Sequence, residues 1–310
     1  MKLNANNPLE SGKTLKELMD EHLGDCEVKG LSFYTLKSYK DNARIVLKYL
    51  DGNMNLSSIT NQTINQLISE IKSTGVKPTT INNRLRYLKA LFNYAYDNDY
   101  MSKLKIKSVK VDEENKNPLN DDEVARLIKK PSSDDYVEYR QWVIVNLILA
   151  TGIRTRNVLE LFVSDVNFKN GTLHLRLTKS RKSQTIYLTP SISKILKEWL
   201  RLTNLKDQQP MFPTVYGETM SRYTYRSAFD NYVDRRRVDC TPHQLSHTFT
   251  KSLVINNVNP FVIKEMLGHS DISVTQKYVK MFGEDLQQAT QGIDTLAQYQ
   301  KSRIKLGGSK

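Results

Sequence analysis

Three short segments of the 310-residue chain carry side chains that suit chemistry at a phosphate. Tyr278 stands nine residues after His269 of a Gly-His pair, residues 243–247 read His-Gln-Leu-Ser-His, and residues 150–154 read Ala-Thr-Gly-Ile-Arg. A phenol can attack phosphorus, an imidazole can move a proton, and a guanidinium can offset the charge of phosphate oxygens. These residue types predict the breaking of a phosphodiester bond through a protein nucleophile.

Such a reaction has four physical requirements. One group attacks phosphorus, another protonates the leaving 5′-oxygen, cations offset the charge on the non-bridging oxygens, and the site holds the attack in line. A phenol suits the first role because its phosphate ester is stable enough to keep a strand end and reactive enough to return it. Since the bond energy is stored in the phosphotyrosine, we expect no metal, nucleotide or other cofactor.

Together the three segments resemble the catalytic domain of the tyrosine recombinases, the family of phage and transposon integrases and Xer-type resolvases. The resemblance covers residues 119–282 through these motifs, and residues 13–107 through the order and length of the elements. It implies a mainly α-helical fold with a small antiparallel β-sheet, in which two domains form a C-shaped clamp on DNA. It also implies cleavage and rejoining through a 3′-phosphotyrosine intermediate and a Holliday junction.

The resemblance assigns a role to each matching residue. Tyr278 takes the position of the nucleophile, and Arg154 matches the first family arginine, which holds the scissile phosphate by two hydrogen bonds. His243 is expected to handle a proton or bind the phosphate. His269 takes the family's His/Trp position, where a ring donor contacts the phosphate beside the nucleophile.

Lys179 lies where the family has the lysine of a β-hairpin, and the resemblance makes it the general acid. Arg181 and Lys182 are near neighbours in sequence, so either can hold that position instead. Asn157 departs from the family's acidic residue after the arginine, and Asp165 keeps a common aspartate. Both are expected to be structural supports.

Ser246 departs from the family, which has arginine at this position. A serine hydroxyl is neutral and short, and the loss of one preorganised donor of this kind costs about 100- to 1,000-fold in rate. We therefore expect an attenuated recombinase that still binds and assembles DNA. The alternative is that another arginine supplies the missing charge, for which the candidates are Arg235, Arg236 and Arg237.

Composition and charge agree with a nucleic-acid partner. A formal net charge of +13 favours a polyanion, because each Lys or Arg that neutralises a phosphate releases condensed counterions. Cys26 and Cys240 match no metal-ligand spacing and are expected to be reduced thiols. With no secretion signal and no apolar stretch near the ~20 residues that span a bilayer, the expected protein is soluble and cytoplasmic, without a membrane partner.

The chain is expected to divide into five parts. These are an N-terminal leader (1–12), a helical core-binding domain (13–107), a linker (108–118), the catalytic domain (119–285) and a C-terminal tail (286–310). In the core-binding domain the pattern predicts four helices, the first capped by Thr14 and the second with Leu47 on its inward stripe. Cationic faces predict contacts with the DNA backbone, through Lys37, Lys40, Arg44, Lys48, Arg84, Arg86, Lys89, Arg181 and Lys182.

In the catalytic domain Asn120 and Glu123 predict a capped helix, followed by an apolar helix over 142–150 that Gly152 ends. A further helix is expected over 158–162. Alternating apolar residues then predict a small antiparallel sheet with turns at Asn170-Gly171 and in the cationic loop around Lys179. The rest is expected to be helical, broken by prolines.

The resemblance implies a homo-tetramer on two double-stranded recombination sites, with the tail 286–310 packed on a neighbouring protomer. Accessory DNA-bending or excisionase proteins are further candidate partners, and phage, transposon and conjugative-element origins stay open. The core-binding domain begins close to the first residue, so no additional arm-binding domain is expected. Two other functions fit the residues: a type IB topoisomerase, and a DNA-binding regulator that has lost catalysis.

Overall fold

The computed structural model describes residues 12–111, 117–132, 134–176, 183–268 and 271–282. The chain divides into two compact units, Met1–Glu114 and Asn115–Lys310. Both are largely helical, and the strands within the described ranges form one three-stranded antiparallel sheet in the second unit. This confirms the predicted mainly α-helical fold with a small antiparallel sheet. Within the same ranges, no helix has the length and apolarity needed to cross a membrane.

The first unit contains the predicted four helices: α1 (Leu15–Val28), α2 (Phe33–Val46), α3 (Asn61–Ser73) and α4 (Pro78–Asp97). The capping box of α1 is present, because Thr14 Oγ1 accepts from Glu17 N at 3.3 Å and Glu17 Oε2 accepts from Thr14 N at 2.8 Å. Apolar side chains of α1, α3 and α4 form the core. The prediction for Leu47 is wrong: α2 ends at Val46, and Leu47 is 38 % exposed.

The start of the predicted linker is attached to the first unit. Asn82 Nδ2 donates to the Val109 carbonyl at 2.9 Å, and Val109 N donates to Asn82 Oδ1 at 2.8 Å. The Asn82 amide thus binds both backbone groups of Val109, and these two hydrogen bonds hold the chain at Val109 against α4. A polar side chain that binds backbone groups 27 residues away leaves no periodic signal in the sequence.

The second unit is built around a buried helix. Its helices are α5 (Asp121–Ile128), α6 (Tyr136–Thr151), α7 (Thr155–Leu159), α8 (Pro190–Thr203), α9 (Arg222–Arg235), α10 (Pro242–Ile255), α11 (Pro260–Leu267) and α12 (Ile272–Phe282). Asp135 Oδ1 caps α6 by accepting from Val137 N and Glu138 N, so α6 starts six residues before the apolar run at Trp142. The helix is buried over most of its length and packs against α8, α9 and α10.

Helix α7 lies three residues earlier than predicted. Arg154 is its N-cap and Leu159 its last residue. Beyond it, the Leu161 carbonyl accepts from Met211 N at 2.8 Å, and Phe162 forms an antiparallel bridge with Pro210. The apolar residues after 159 therefore belong to an extended segment, whose pairing partner is 50 residues away and invisible to local periodicity.

The predicted sheet is confirmed as β1 (Val166–Asn167), β2 (Thr172–Leu175) and β3 (Gln184–Tyr187), in the order β1-β2-β3. Leu173 pairs with Ile186, and both are buried against the core. The first turn contains Gly171 with a φ of +63°. The loop between β2 and β3, with Lys179, Arg181 and Lys182, lies outside the described residues. So do the tail 286–310 and all of the leader 1–12 except its last residue.

Candidate active site

The end of α6 brings Arg154 to a junction of three helices. Gly152 ends α6 in the left-handed conformation at a φ of +66°. A Cβ at this position would lie 2.4 Å from Phe249 Cδ1 of α10 and 2.7 Å from Leu267 Cδ2 of α11. Only glycine provides both the backbone angle and the space. Arg154, two residues further on, is thereby held where α6, α10 and α11 meet.

We expect Gly152→Ala to destabilise the second unit more than Gly171→Ala does. Both variants place a Cβ on a left-handed residue, which costs about 1–2 kcal/mol. At Gly171 the nearest atom to the new Cβ is a carbonyl oxygen 3.7 Å away, whereas at Gly152 the methyl group enters two packed side chains, adding about 1–3 kcal/mol. Urea unfolding of the two variants measures the difference. Equal losses would show that α6 does not abut α10 and α11 in this way.

Arg154 is half-buried and carries a charge available to an anion. Its Nη2 donates to the Gly268 carbonyl at 3.3 Å. Burial lowers the pKa of the guanidinium below its ordinary value, but arginine stays protonated in proteins. No acidic side chain in the described ranges forms an ion pair with it. A desolvated, unpaired guanidinium is a strong site for a phosphate.

Position 246 lies beside Arg154. Ser246 on α10 is half-buried, and its Oγ donates to the carbonyl of Ile153 at 3.4 Å, one residue before Arg154. The structure therefore brings together two positions that are 92 residues apart in sequence. The hydroxyl adds no charge to the site.

Tyr278 on α12 is held by an aromatic contact and by an apolar cluster. Its ring meets the His247 ring edge to face, with centroids 5.5 Å apart and planes at 78°. It also packs against the buried cluster that contains Phe249 and Leu267. Burial raises the pKa of Tyr278 above its ordinary 10.0. The phenol is therefore protonated at neutral pH and has to lose its proton when it attacks.

Two histidines lie one turn apart on α10. His243 is exposed in the first turn, and His247 is half-buried. Burial and, to a smaller extent, His243 lower the pKa of His247 from its ordinary 6.5, so its ring is neutral at neutral pH. His247 was not among the predicted catalytic residues, although it contacts Tyr278 directly. Its spacing of four residues from His243 was the available signal.

Helix α10 connects the parts of the site. It carries His243 and Ser246, it touches the backbone next to Arg154, and through His247 it touches Tyr278. Four of the six predicted catalytic positions thus lie on α10 or next to it. The other two, Lys179 and His269, lie outside the described residues.

A role for Gln184, the first residue of β3, was also not predicted from the sequence. Its Nε2 donates to the carbonyls of Glu265 and Met266, at 2.9 and 2.8 Å. An amide side chain is not a typical catalytic group, and its partners here are backbone atoms about 80 residues away. The sequence therefore held no signal for this contact.

The predicted supports behave as structural residues. Asp165 is buried, its Oδ2 accepts from Phe162 N at 2.8 Å, and its Oδ1 accepts from Arg176 Nε at 2.7 Å. These bonds fix the segment that leads from α7 into the sheet. Asn157 is buried within α7.

Two of the arginines proposed to replace the missing clamp are paired elsewhere. Arg235 pairs with Asp135 and Glu138 at 3.3 and 3.4 Å, and Arg236 pairs with Glu138 at 3.0 Å. These acids lie at the start of α6, Asp135 as its N-cap and Glu138 in its first turn, whereas Arg154 follows its last turn. At 1.5 Å per residue, Glu138 and Thr151 are separated by about 20 Å along the helix. The pairing therefore opposes the alternative for Arg235 and Arg236.

The third candidate, Arg237, lies in the turn after α9. Its carbonyl accepts from Arg126 Nη1 at 2.6 Å, and its φ is +54°. This contact fixes its backbone to α5, beside the paired Arg236. The position gives no support to a role near Arg154.

The predicted DNA-contact residues of the first unit lie on α2, α4 and the turn after α2. Lys37, Arg44 and Lys48 are exposed, and Lys40 pairs with Glu27 at 3.3 Å. Between α2 and α4 lies a groove of about 530 Å³. Its polar lining consists of Ser38, Asn42, Thr80, Asn83, Arg84 and Arg86.

On α4, Arg86 Nη1 donates to Asn83 Oδ1 at 2.8 Å, and Lys89 Nζ donates to Ser108 Oγ at 3.3 Å. The buried Nη1 of Arg84 has no hydrogen-bond partner among the described residues. A buried guanidinium N–H at a polar groove is suited to binding an acceptor supplied from outside.

The fold and the site define a DNA breaking-and-rejoining protein of the tyrosine recombinase class. Residues 117–284 match the phage integrase family, and residues 14–111 match the phage integrase SAM-like domain. The chain therefore belongs to the phage integrase family, the tyrosine-type site-specific recombinases.

Known proteins similar to this chain span most of its length. Tyrosine recombinase XerD of Staphylococcus epidermidis is 26 % identical over an alignment of 280 residues, and the match covers 85 % of this chain and 94 % of XerD. The integrase of transposon Tn1549, in complex with transposon right end DNA, has a TM-score of 0.77 at 19 % identity and covers 92 % and 100 % of the two chains. A lambda integrase tetramer bound to a Holliday junction has a TM-score of 0.71 at 17 % identity and covers 92 % and 82 %.

Proposed function

We propose that the protein is a site-specific DNA recombinase of a mobile element that cleaves and rejoins DNA through a 3′-phosphotyrosine at Tyr278. The observation that carries this proposal is the arrangement around α10. It joins an unpaired, half-buried guanidinium, Arg154, to a tyrosine held in a fixed orientation, Tyr278. Family membership supports the same chemistry.

In the cleavage step, Tyr278 Oη forms a bond to phosphorus while the bond from phosphorus to the 5′-oxygen breaks. The phenol proton passes to a base, for which His243 is the candidate, and Lys179 gives a proton to the leaving 5′-oxygen. Arg154 and His269 stabilise the charge on the non-bridging oxygens. Rejoining is the reverse reaction, with the 5′-hydroxyl of a second strand as the nucleophile. Ser246 leaves one clamp of this set unfilled.

The proposed partners are double-stranded recombination sites and further copies of this chain, four of them on two sites. The lambda integrase structure supports this assembly, since that protein forms a tetramer on a Holliday junction. The Tn1549 integrase, a transposon protein bound to DNA, supports a mobile-element role.

Removing two cations from α2 should change the salt dependence of DNA binding. In Lys37→Ala/Arg44→Ala the slope of log affinity against log salt concentration is expected to fall by about two, because two phosphate contacts are lost. The matched control is Lys16→Ala/Lys29→Ala, which removes the same charge from lysines paired with Asp20 and Asp25 of α1. Binding titrations at several salt concentrations measure both. Identical slopes for the two double variants would exclude α2 as the DNA-binding face.

Covalent trapping tests the proposed function. The target site is identified by sequencing the DNA that is crosslinked to the purified protein. In a duplex of this sequence, a nick is placed beside the scissile phosphate, so that cleavage releases a short fragment with a free 5′-hydroxyl, which diffuses away. We expect a protein–DNA adduct that survives detergent, forms slowly, and forms equally well with EDTA. Tight binding to this duplex without any adduct would contradict the proposal.

A second candidate function is a DNA-binding regulator without catalysis. Ser246 favours it, because the site lacks one of the phosphate clamps of the family. The trapping experiment separates the two functions, since a regulator binds the nicked duplex and never becomes attached.

A further inference from the structure

Gln184 caps the end of α11 from the neighbouring sheet. The last four carbonyls of an α-helix have no partner within the helix. Two such carbonyls, those of Glu265 and Met266, accept from the Nε2 of Gln184. The bonds tie the first residue of β3 to the last turn of α11, although the two elements are far apart in sequence.

The same turn is also bound by Arg154. Gly268 follows α11 in the left-handed conformation, with a φ of +58°, and a Cβ there would lie 2.8 Å from Gln184 Oε1. Its carbonyl accepts from Arg154 Nη2 at 3.3 Å. A Cβ on Gly268 would also lie 3.5 Å from Arg154 Nη1, so Gln184 and Arg154 approach the same turn close to each other.

Packing does little to hold β3 and α11 together. A cavity of about 340 Å³ lies beside the Gln184 amide. Its lining includes Thr151, Tyr187, Phe249 and Met266. Because this space is not filled by side chains, the two hydrogen bonds of Gln184 are a defined connection between the sheet and the end of α11 among the described residues.

We propose that Gln184 is a positioning residue for Arg154, an inference that rests on the proposed function of Arg154 as the phosphate clamp. The Gln184 amide fixes the Gly268 carbonyl, and that carbonyl fixes one N–H of the planar guanidinium. The remaining N–H groups then point in set directions, as two-point binding of a phosphate requires.

The variant Gln184→Glu tests this role with almost no change in size. It replaces the two donors by a carboxylate that faces two carbonyl oxygens. At saturating nicked DNA we expect covalent attachment to slow by about 10- to 100-fold, since small displacements of a clamp have effects of this size. At lower pH the carboxyl becomes protonated and regains an O–H donor. The rate relative to wild type should therefore recover between pH 8 and pH 5, whereas Gln184→Ala should stay slow throughout.

Thr185→Glu is the matched control for charge. Thr185 is the next residue of β3 and is exposed, so the variant adds the same negative charge nearby while Gln184 keeps its two hydrogen bonds. We expect weaker DNA binding but an attachment rate at saturating DNA within about 2-fold of wild type. If Gln184→Glu is no slower than Thr185→Glu at saturation, the positioning role is wrong.

Hydrogen exchange tests the contact independently of catalysis. The Gly268 amide donates to the Glu265 carbonyl, which Gln184 also binds. In DNA-free Gln184→Ala, amide exchange in residues 260–268 should become about 5-fold faster or more, since two hydrogen bonds are lost. Unchanged exchange would overturn the positioning role alone. Absence of an adduct with the wild-type protein would instead overturn the proposed function.

Discussion

The variant Ser246→Arg is expected to attach to nicked DNA about 100-fold faster than the wild-type protein, or faster still. The side chain at 246 starts beside the backbone of Ile153, next to Arg154. An arginine there reaches the same phosphate and adds two charge-assisted hydrogen bonds that strengthen as charge develops in the transition state. DNA affinity should change much less, because most phosphate contacts lie elsewhere. Single-turnover rates at saturating DNA measure the effect.

Three further variants distinguish the effect of a guanidinium at position 246 on the attachment rate from the effect of added positive charge alone. Ser246→Lys should recover only part of the rate, since a point charge cannot make the planar two-point contact. Ser246→Ala should resemble wild type. Ser252→Arg adds the same charge at an exposed position later on α10 and should leave the saturated rate unchanged. If Ser246→Arg gives no gain over serine, position 246 is not the missing clamp, and the match of residues 243–247 to the family is wrong.

The same substitution should lower stability in the absence of DNA. It places a second cation beside the half-buried Arg154, for which no acidic partner exists within the described ranges. Like charges at short range repel, and burial strengthens the repulsion. Bound DNA supplies the compensating phosphate. The loss of unfolding free energy should therefore be larger for the free protein than for the complex.

Local signals in the sequence predicted the boundaries that depend on local chemistry. The capping boxes at Thr14 and Asn120 are both present, and Gly152 ends α6 in the left-handed conformation. Each of these depends on residues within four positions, where type and spacing determine the hydrogen bonds. The predictions failed for Leu47 and for the start of α7. Helix α2 ends one residue before Leu47, and the apolar residues after Leu159 pair with a remote extended segment instead of continuing α7.

The sequence predicted which residue types form the site, but not the hydrogen bonds that connect them. Arg154, Ser246 and Tyr278 were identified from motifs, and the structure places them around α10. The bond from Arg154 to Gly268 and the two bonds from Gln184 join backbone atoms to side chains across more than 80 residues. Such contacts depend on how helices pack, and no single-sequence pattern reports packing between distant segments.

Tyr278→Phe is expected to abolish covalent attachment while leaving folding and DNA binding nearly intact. The substitution keeps the ring, its edge-to-face contact with His247 and its packing against the cluster of Phe249 and Leu267. It deletes only the oxygen that attacks phosphorus. Because the ring is half-buried and its contacts are retained, the free energy of unfolding should change by less than about 1 kcal/mol. Detergent-resistant adducts on the nicked duplex measure covalent attachment, binding titrations measure DNA affinity, and urea unfolding measures stability.

Tyr187→Phe is the matched control for this loss. Tyr187 lies on β3 near the same junction and is 79 % exposed, so the variant removes an identical hydroxyl outside the proposed reaction. It should attach to DNA at the wild-type rate. The raised pKa of Tyr278 adds a further test, because a phenol that must lose its proton reacts faster as pH rises towards its pKa. The wild-type attachment rate should therefore increase between pH 7 and pH 9, and Tyr278→Phe should give no adduct at any of these pH values. An adduct formed by Tyr278→Phe would mean that another residue is the nucleophile, and the roles assigned around α10 would fall with it.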